Sequence, residues 1–160
     1  MATPNQKKQL YILAIDNPEL ERLEVQYMPK VVNYTRSANI QRIDIVGRND
    51  KLNQYKGGDT SISLTLDFFA VEEGFEDAKR KINWLKSMTY SNEDAPPSRI
   101  KLIFGDLFDN EVWILKSVGV KYSSFQPANG WLPRYASASL SFVLDTNFDL
   151  FAEQIRTGNF

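Results

Sequence analysis

The 160-residue chain is 42% hydrophobic and 24% charged, with 19 Lys and Arg against 20 Asp and Glu and a formal charge of −1. That balance fits one globular domain with a core of its own, and it offers no basic field for nucleic acid. The absence of cysteine removes disulfides and thiolate chemistry, and the absence of histidine removes the usual base for a serine nucleophile and the commonest metal ligand.

In chain order, a polar leader over 1–9 gives way to Leu10–Ile15 (LYILAI), a first strand closed by the turn signal Asp16-Asn17-Pro18. A second apolar run, Leu23–Tyr27, stops at Met28-Pro29, where proline denies a ladder hydrogen bond. Val31 to Val46 reads as two extended pieces around Ser37-Ala38-Asn39, and Gly47-Arg48-Asn49-Asp50 opens a polar loop expected to last until Gly58. The clearest strand follows: Ile62, Leu64, Leu66 and Phe68 share one side, while Ser61, Ser63, Thr65 and Asp67 share the other.

The period then changes. Phe75, Ala78, Ile82 and Leu85 fall on one helical face, with acids leading and bases following as the helix dipole prefers. The paired prolines Pro96-Pro97 end that helical region, and RIKLIF sets Ile100, Leu102 and Phe104 on one face of the next strand. In EVWILKSVGVKY, Val112, Ile114, Val118, Val120 and Tyr122 alternate, which puts Trp113 on the opposite face. The final strand sets Ala136, Ala138, Leu140, Phe142 and Leu144 inward and Ser137, Ser139 and Ser141 outward. Between these two strands Asn129-Gly130 marks a hairpin tip, and 147–155 reads as a short helix or docking tail. About seven strands and one main helix predict a β-rich (α+β) sandwich or barrel with the helix covering one side.

Function is harder to read. Asp106 with Asp109, and Glu72 with Glu73, are spaced closely enough to raise a carboxylate-pair hydrolase, but turn chemistry and a helix-leading acidic pair explain them. Gly57-Gly58-Asp59-Thr60 precedes a strand, whereas phosphate loops follow one, so no cofactor is expected; Asp44, Asp50 and Asp59 lack calcium-loop spacing, so no metal is. Trp113, Trp131 and Tyr135 together would suit a sugar-stacking platform. The hairpin carrying Phe125, Trp131, Leu132, Pro133 and Arg134 is too apolar for an idle loop and reads as a partner surface. The second feature is the pair of serine-rich strand faces, Ser61, Ser63 and Thr65 with Ser137, Ser139 and Ser141, where a water-facing strand would usually carry long charged residues.

One resemblance joins these features. Tyr27-x-Pro29, Tyr34-x-x-Ser37, Gly57-Gly58, Leu66-Asp67-Phe68-Phe69, the helix, the proline loop, Phe104-Gly105 and KSVGVKYSSFQPANGWLPRYASASLSF occur in an order that resembles the tail-tube-fold proteins of contractile injection systems. More narrowly, the order is similar to their tube-initiator or baseplate-hub adaptor type, over roughly Leu23 to Leu144. The chain departs from that pattern at Phe104, where tryptophan is common, and at Ala70-Val71, where Asp-Thr is common, and no LysM module is expected after the tube fold. The resemblance implies a single tail-tube-like domain over 1–160 that forms a ring, a hexamer, at the hub or start of the tube. Its partners would be itself and neighbouring tube, hub and baseplate proteins, with no membrane and no sequence-specific nucleic-acid binding. DNA or other cargo would pass through the channel of a virion or injection particle whose parts are made in the bacterial cytoplasm. It implies no enzyme activity, and it has the two serine faces meet either the channel or a packed neighbour. The alternative is a carbohydrate-binding β-sandwich module.

Overall fold

A computed structural model describes residues 10–16, 19–20, 22–25, 27–70, 75–91, 96–105, 107–108, 111–145 and 156. The expected leader over 1–9, the tail over 147–155 apart from its neighbour Arg156, and Glu72, Glu73, Asp106 and Asp109 lie outside them. Seven strands and one helix are present: β1 (Tyr11–Ala14), β2 (Leu23–Glu24), β3 (Val32–Ile43), β4 (Leu52–Phe69), α1 (Glu76–Ser87), β5 (Ile100–Ile103), β6 (Trp113–Gln126) and β7 (Leu132–Leu144). They form one antiparallel sheet in the order β2-β1-β5-β6-β7-β4-β3.

The strict alternation of β4 and β7 builds the centre. Cross-strand partners pair large with small, Phe68 with Ala136 and Leu66 with Ala138, and further along Leu64 with Leu140 and Ile62 with Phe142. All eight side chains are buried, and the two alanines leave room beside Phe68 and Leu66. Helix α1 contributes Ala78, Ile82 and Leu85 to the same core. Glu76 and Asp77 occupy its first turn and Lys86 its last, as the helix dipole favours. Because the helix covers one face only, the other face of β4 and β7 is left to the small polar residues.

The structure departs from the sequence reading at three places. The polar loop expected to reach Gly58 is instead strand: β4 starts at Leu52, and β3 runs unbroken through Ser37-Ala38-Asn39. The irregularity sits on the partner strand, where Ala38 pairs Gly58 but Ile40 pairs Tyr55, so β4 carries one extra residue. Gly57 takes it up at φ 83°, and a Cβ on Gly58 would stand 2.7 Å from the Ser37 carbonyl oxygen. A bulge of this kind hides a strand from any period-two search, because the pattern slips by one residue. The second departure has the same cause. The expected face of Val112 and Ile114 in phase with Val118 and Val120 is wrong: Trp113 and Leu115 are buried, and a register shift between Leu115 and Ser117 returns Val118 and Val120 to the core side. The third is that, among the described residues of 23–27, Leu23–Glu24 alone is strand.

The short strands are fastened by charge. Arg99 donates from Nη2 to Asp16 Oδ1 at 2.9 Å and from its backbone N–H to Asp16 Oδ2 at 2.9 Å, while Ile15 N–H donates to the Arg99 carbonyl. The guanidinium bonds, then the backbone N–H, hold the Asp16 carboxyl below its usual value of 3.8. A lowered folded value means the stabilisation is complete above the ordinary carboxylate range and disappears as pH falls through the lowered value. With both side chains more than a third exposed, Asp16→Asn is expected to cost at most about 1 kcal/mol at pH 7. Thermal melts should show that gap between wild type and variant shrinking below about pH 4, as the carboxyl of the unfolded chain takes up its proton, and closing once the pH has passed below the lowered folded value. A gap that grew in acid would contradict the assignment.

Candidate functional site

The register of the central strands brings the two serine faces together. Ser63 stands opposite Ser141 and Thr65 opposite Ser139, with Ser61 beside Val143 and Asp67 beside Ser137 at the ends. The same surface continues onto β6 through Ser117 and Gly119, and onto β3 through Asn33 and Thr35. All of it lies opposite the helix-covered core. Ser63, Thr65 and Ser139 are exposed, whereas Ser61, Ser137 and Ser141 are half-buried by their neighbours. A shallow groove of about 270 Å³ runs between the Lys30–Asn33 segment and Ser63, Thr65 and Asp67. The result is a continuous, hydroxyl-rich sheet face whose middle rows carry no charge.

Its charges sit at the two ends, with Asp59 two residues before Ser61 in the same row at one of them. Lys121 and Asp67 both flank Ser137. Asp67 Oδ1 accepts a 2.7 Å hydrogen bond from the Tyr135 hydroxyl, and this bond is the main reason that the phenol holds its proton above the ordinary range. Phe69 is tilted against Tyr135 at 4.9 Å and meets Tyr27 edge-on at 5.1 Å. Sequence reasoning quoted Tyr27 and Leu66-Asp67-Phe68-Phe69 without seeing this cluster; the clue available was two aromatics two residues beyond the polar positions of paired strands.

The five hairpin residues also come together. A 3-10 turn, Pro127–Asn129, is closed by Gly130 at φ 65°, and Trp131 N–H donates to the Gln126 carbonyl at 3.0 Å. The tip is therefore a five-residue turn over 127–131 rather than a tight Asn-Gly pair. Phe125 pairs Pro133 and Gln126 pairs Leu132, so Leu132, Pro133 and Arg134 belong to β7 itself. Phe125 (54%) and Trp131 (67%) are exposed large apolar residues of the β6–β7 hairpin, and Leu132 adds to them. Trp131 also holds φ 62° and Ser124 φ 58°, a region that costs an ordinary L-residue roughly 1–2 kcal/mol.

A second arm was missed in the sequence. Beyond the ends of β6 and β7, β3 and β4 continue as a two-stranded ribbon over 39–57, exposed throughout. Ile40 pairs Tyr55 and Ile43 pairs Leu52, so both of its faces carry apolar residues. At its root Arg36 Nη1 donates to Thr60 Oγ1, which is buried, at 2.6 Å. Since β4 and β6 run the same way in the sheet, this ribbon and the β6–β7 hairpin project from opposite ends.

The sheet also has open edges. Among the described residues β3 has no neighbour on its outer side, and β5 meets β6 only at Ile100 and Trp113, leaving β6 unpaired from Lys116 to Gln126 on that side. Long free edges invite pairing with another chain, and the cations here, Arg36 and Arg42 on one edge and Lys116 and Lys121 on the other, suppress indiscriminate contact.

The sugar platform is not assembled. Trp113 is fully buried with Tyr34 edge-on at 6.1 Å, and it begins the strand that Trp131 follows, about 40 Å away at 3.3 Å per residue. Tyr135 is committed to Asp67. Among the described residues no three acidic side chains gather as a metal site would require, and no helix is long and apolar enough to cross a membrane.

No protein-family model matches the sequence, and no curated protein matches it. Among solved structures the chain is similar to a chain of the anti-feeding prophage baseplate, 6-fold symmetrised, with 10% identity over 91% of this chain and 94% of that one and a TM-score of 0.44. It is likewise similar to a chain in the tail of the empty gene transfer agent particle with C6 symmetry, with 13% identity over 94% and 100% and a TM-score of 0.43. A chain of an extracellular contractile injection system, the PVC sheath-tube complex in its extended state, gives 14% identity over 90% and 89% and a TM-score of 0.38. These are distant likenesses of backbone.

The strained tip yields a test. Trp131→Gly removes the left-handed penalty together with the exposed indole, so the free protein should melt at the same temperature or a few degrees higher. If the indole anchors a partner, the protein concentration needed for assembly should rise by about tenfold or more. Unchanged assembly would remove the tip from the contact surface.

Proposed function

We propose that this chain is a structural ring subunit of a contractile phage tail or related injection particle, placed at the hub or start of the tail tube, with no chemistry of its own. The observation that carries the reading is the hydroxyl face of β6-β7-β4-β3, uncharged in its middle rows, backed by the helix-covered core and bounded by two free edges. In this sheet β6 and β3 run in opposite directions, because three antiparallel steps separate them. When identical copies stand side by side around an axis, β3 of one copy meets β6 of the next antiparallel, and the ladder continues without a change of pattern. A closed ring then leaves neither β3 nor β6 with a free long edge, and only the short β5-β1-β2 branch still ends in an outer strand.

The same closure gives the exposed apolar residues a place. Tyr34 on β3 and Val118 on β6 lie on the core side at neighbouring levels of the sheet and would come together across the joint. The helix faces outward, and the serines and threonines line the channel. Small hydroxyl side chains keep the bore wide and present neither an apolar surface nor fixed charge to what passes through it. Six copies and contact with tube, hub and baseplate proteins are part of the proposal, as is a passive lining for DNA or other cargo. The carbohydrate-binding alternative finds no assembled aromatic platform to support it.

Cysteine substitution tests the lining, since the chain has no native thiol. Ser63→Cys and Ser139→Cys should react with a small maleimide in the assembled particle, and should be protected from a reagent too large to enter the channel. Negative-stain images of the same preparations should show hollow rings. Free reaction with the large reagent at both positions, or a protein that stays monomeric at every concentration, would defeat the proposal.

A further inference from the structure

The register between β3 and β4 is held tightly over one part of its length and loosely over another. From Val32 opposite Leu64 to Ala38 opposite Gly58 the strands keep one register, and from Ile40 opposite Tyr55 to Ile43 opposite Leu52 they keep a second, displaced by one residue. The first part is pinned. Ile62 and Leu64 are buried in the core, Arg36 bonds the buried Thr60 at 2.6 Å, and Gly58 leaves no room for a Cβ beside the Ser37 carbonyl. A slip there would turn the core residues of β4 toward the hydroxyl face. No such constraint acts beyond the bulge. Residues 39–57 are exposed throughout, and the 3.3 Å ion pair between Lys51 and Asp44 across the ribbon has both side chains more than half exposed.

Two registers are open to the outer part. In the one observed, the extra β4 residue sits at the bulge, Ile40 faces Tyr55 and Ile43 faces Leu52. In the other, the register of the pinned part continues outward: Ile40 faces Lys56, Arg42 faces Gln54 and Ile43 faces Asn53, and the released residue enters the turn, which grows from 44–51 to 44–52. The balance is close. The observed register gains two exposed apolar pairs and an exposed ion pair, while the other regains the ladder position that a bulge leaves unpaired. A turn longer by one residue changes little. Gly57 suits both, because without a Cβ it accepts φ 83° in the bulge as readily as the extended backbone of a plain ladder. We infer that the outer β3–β4 ribbon is a two-register device pivoting at Gly57-Gly58, in which a slip of one residue carries Tyr55 from the helix side of the ribbon to its hydroxyl side and Lys56 the other way. A surface that takes up Ile40 and Tyr55 together holds the bulged form; one that takes up Ile43 and Tyr55 together holds the plain form. This stands independently of the ring.

Cross-strand disulfides read the register in the full-length chain, which has no native thiol. Arg42→Cys with Asn53→Cys sets the thiols directly opposite in the observed register, and Arg42→Cys with Gln54→Cys does so in the other. In the wrong register the two side chains point to opposite faces and no bridge forms. All three positions are exposed, and both variants keep Ile40, Ile43, Leu52 and Tyr55. Ser37→Cys with Asp59→Cys, partners in the pinned part, is the reference. In a glutathione redox buffer all three variants should form their disulfide, with the 42–53 and 42–54 equilibrium constants within about tenfold of each other. Adding Gly57→Ala, which penalises φ 83°, should move that ratio about fivefold or more toward 42–54 and leave the reference unchanged. Full oxidation of 42–53 with none of 42–54 would overturn the inference, as would a ratio indifferent to Gly57→Ala. A reference that closes while neither ribbon pair does would also overturn it, because the ribbon would then not be paired in either register.

Discussion

Everything in this structure depends on the pairing of β4 with β7, nine consecutive residues of each in unbroken register from Ser61 opposite Val143 to Phe69 opposite Tyr135. That ladder fixes two surfaces at once. On one side it sets Phe68 over Ala136 and Leu64 over Leu140, making the bed on which α1 lies. On the other it sets Ser63 over Ser141 and Thr65 over Ser139. A slip of one residue would exchange the faces, turning serines toward the helix and phenylalanines toward water, so the apolar core enforces the polar surface. The hydroxyl face is thus held by burial on the opposite side, at no cost in stability to itself.

Much of this was legible in the sequence because burial on one face writes a period of two into a strand and a period near 3.6 into a helix. Ile62 to Phe68, Ala136 to Phe142, and Phe75 with Ala78, Ile82 and Leu85 were each recognisable for that reason, and both serine rows were recognised as the reverse of the pattern. What could not be read was that the two rows are neighbours. Pairing between strands some 70 residues apart leaves no local trace, and the neighbouring arrangement became visible only through the register.

The misreadings have two physical origins. Where neither face is buried, nothing imposes alternation, and the ribbon of β3 and β4 looked like a polar loop because Leu52 to Gly58 faces water on both sides in the single chain. Bulges add to this: Gly57 and the shift between Leu115 and Ser117 each displace the pattern by a residue, which hid the start of β4 and reversed the assignment of Val112 and Ile114 against Trp113 and Leu115. Sequence signals of burial describe the chain's own core. Residues outside that core leave weaker marks, such as exposed Ile40 and Tyr55 or a tryptophan held at φ 62°.

The central claim is that the outer edges of β3 and β6 are joined to each other between copies. Hydrogen–deuterium exchange, compared between the free protein and the assembled particle, measures this directly, because edge amides exchange fast unless a neighbouring strand accepts them. The account predicts new protection in β3 and in β6 from Ser117 to Gln126, with the β4–β7 ladder slow to exchange in both states. Protection confined to the two hairpin tips, with β3 and β6 as fast in the particle as in the free chain, would contradict it.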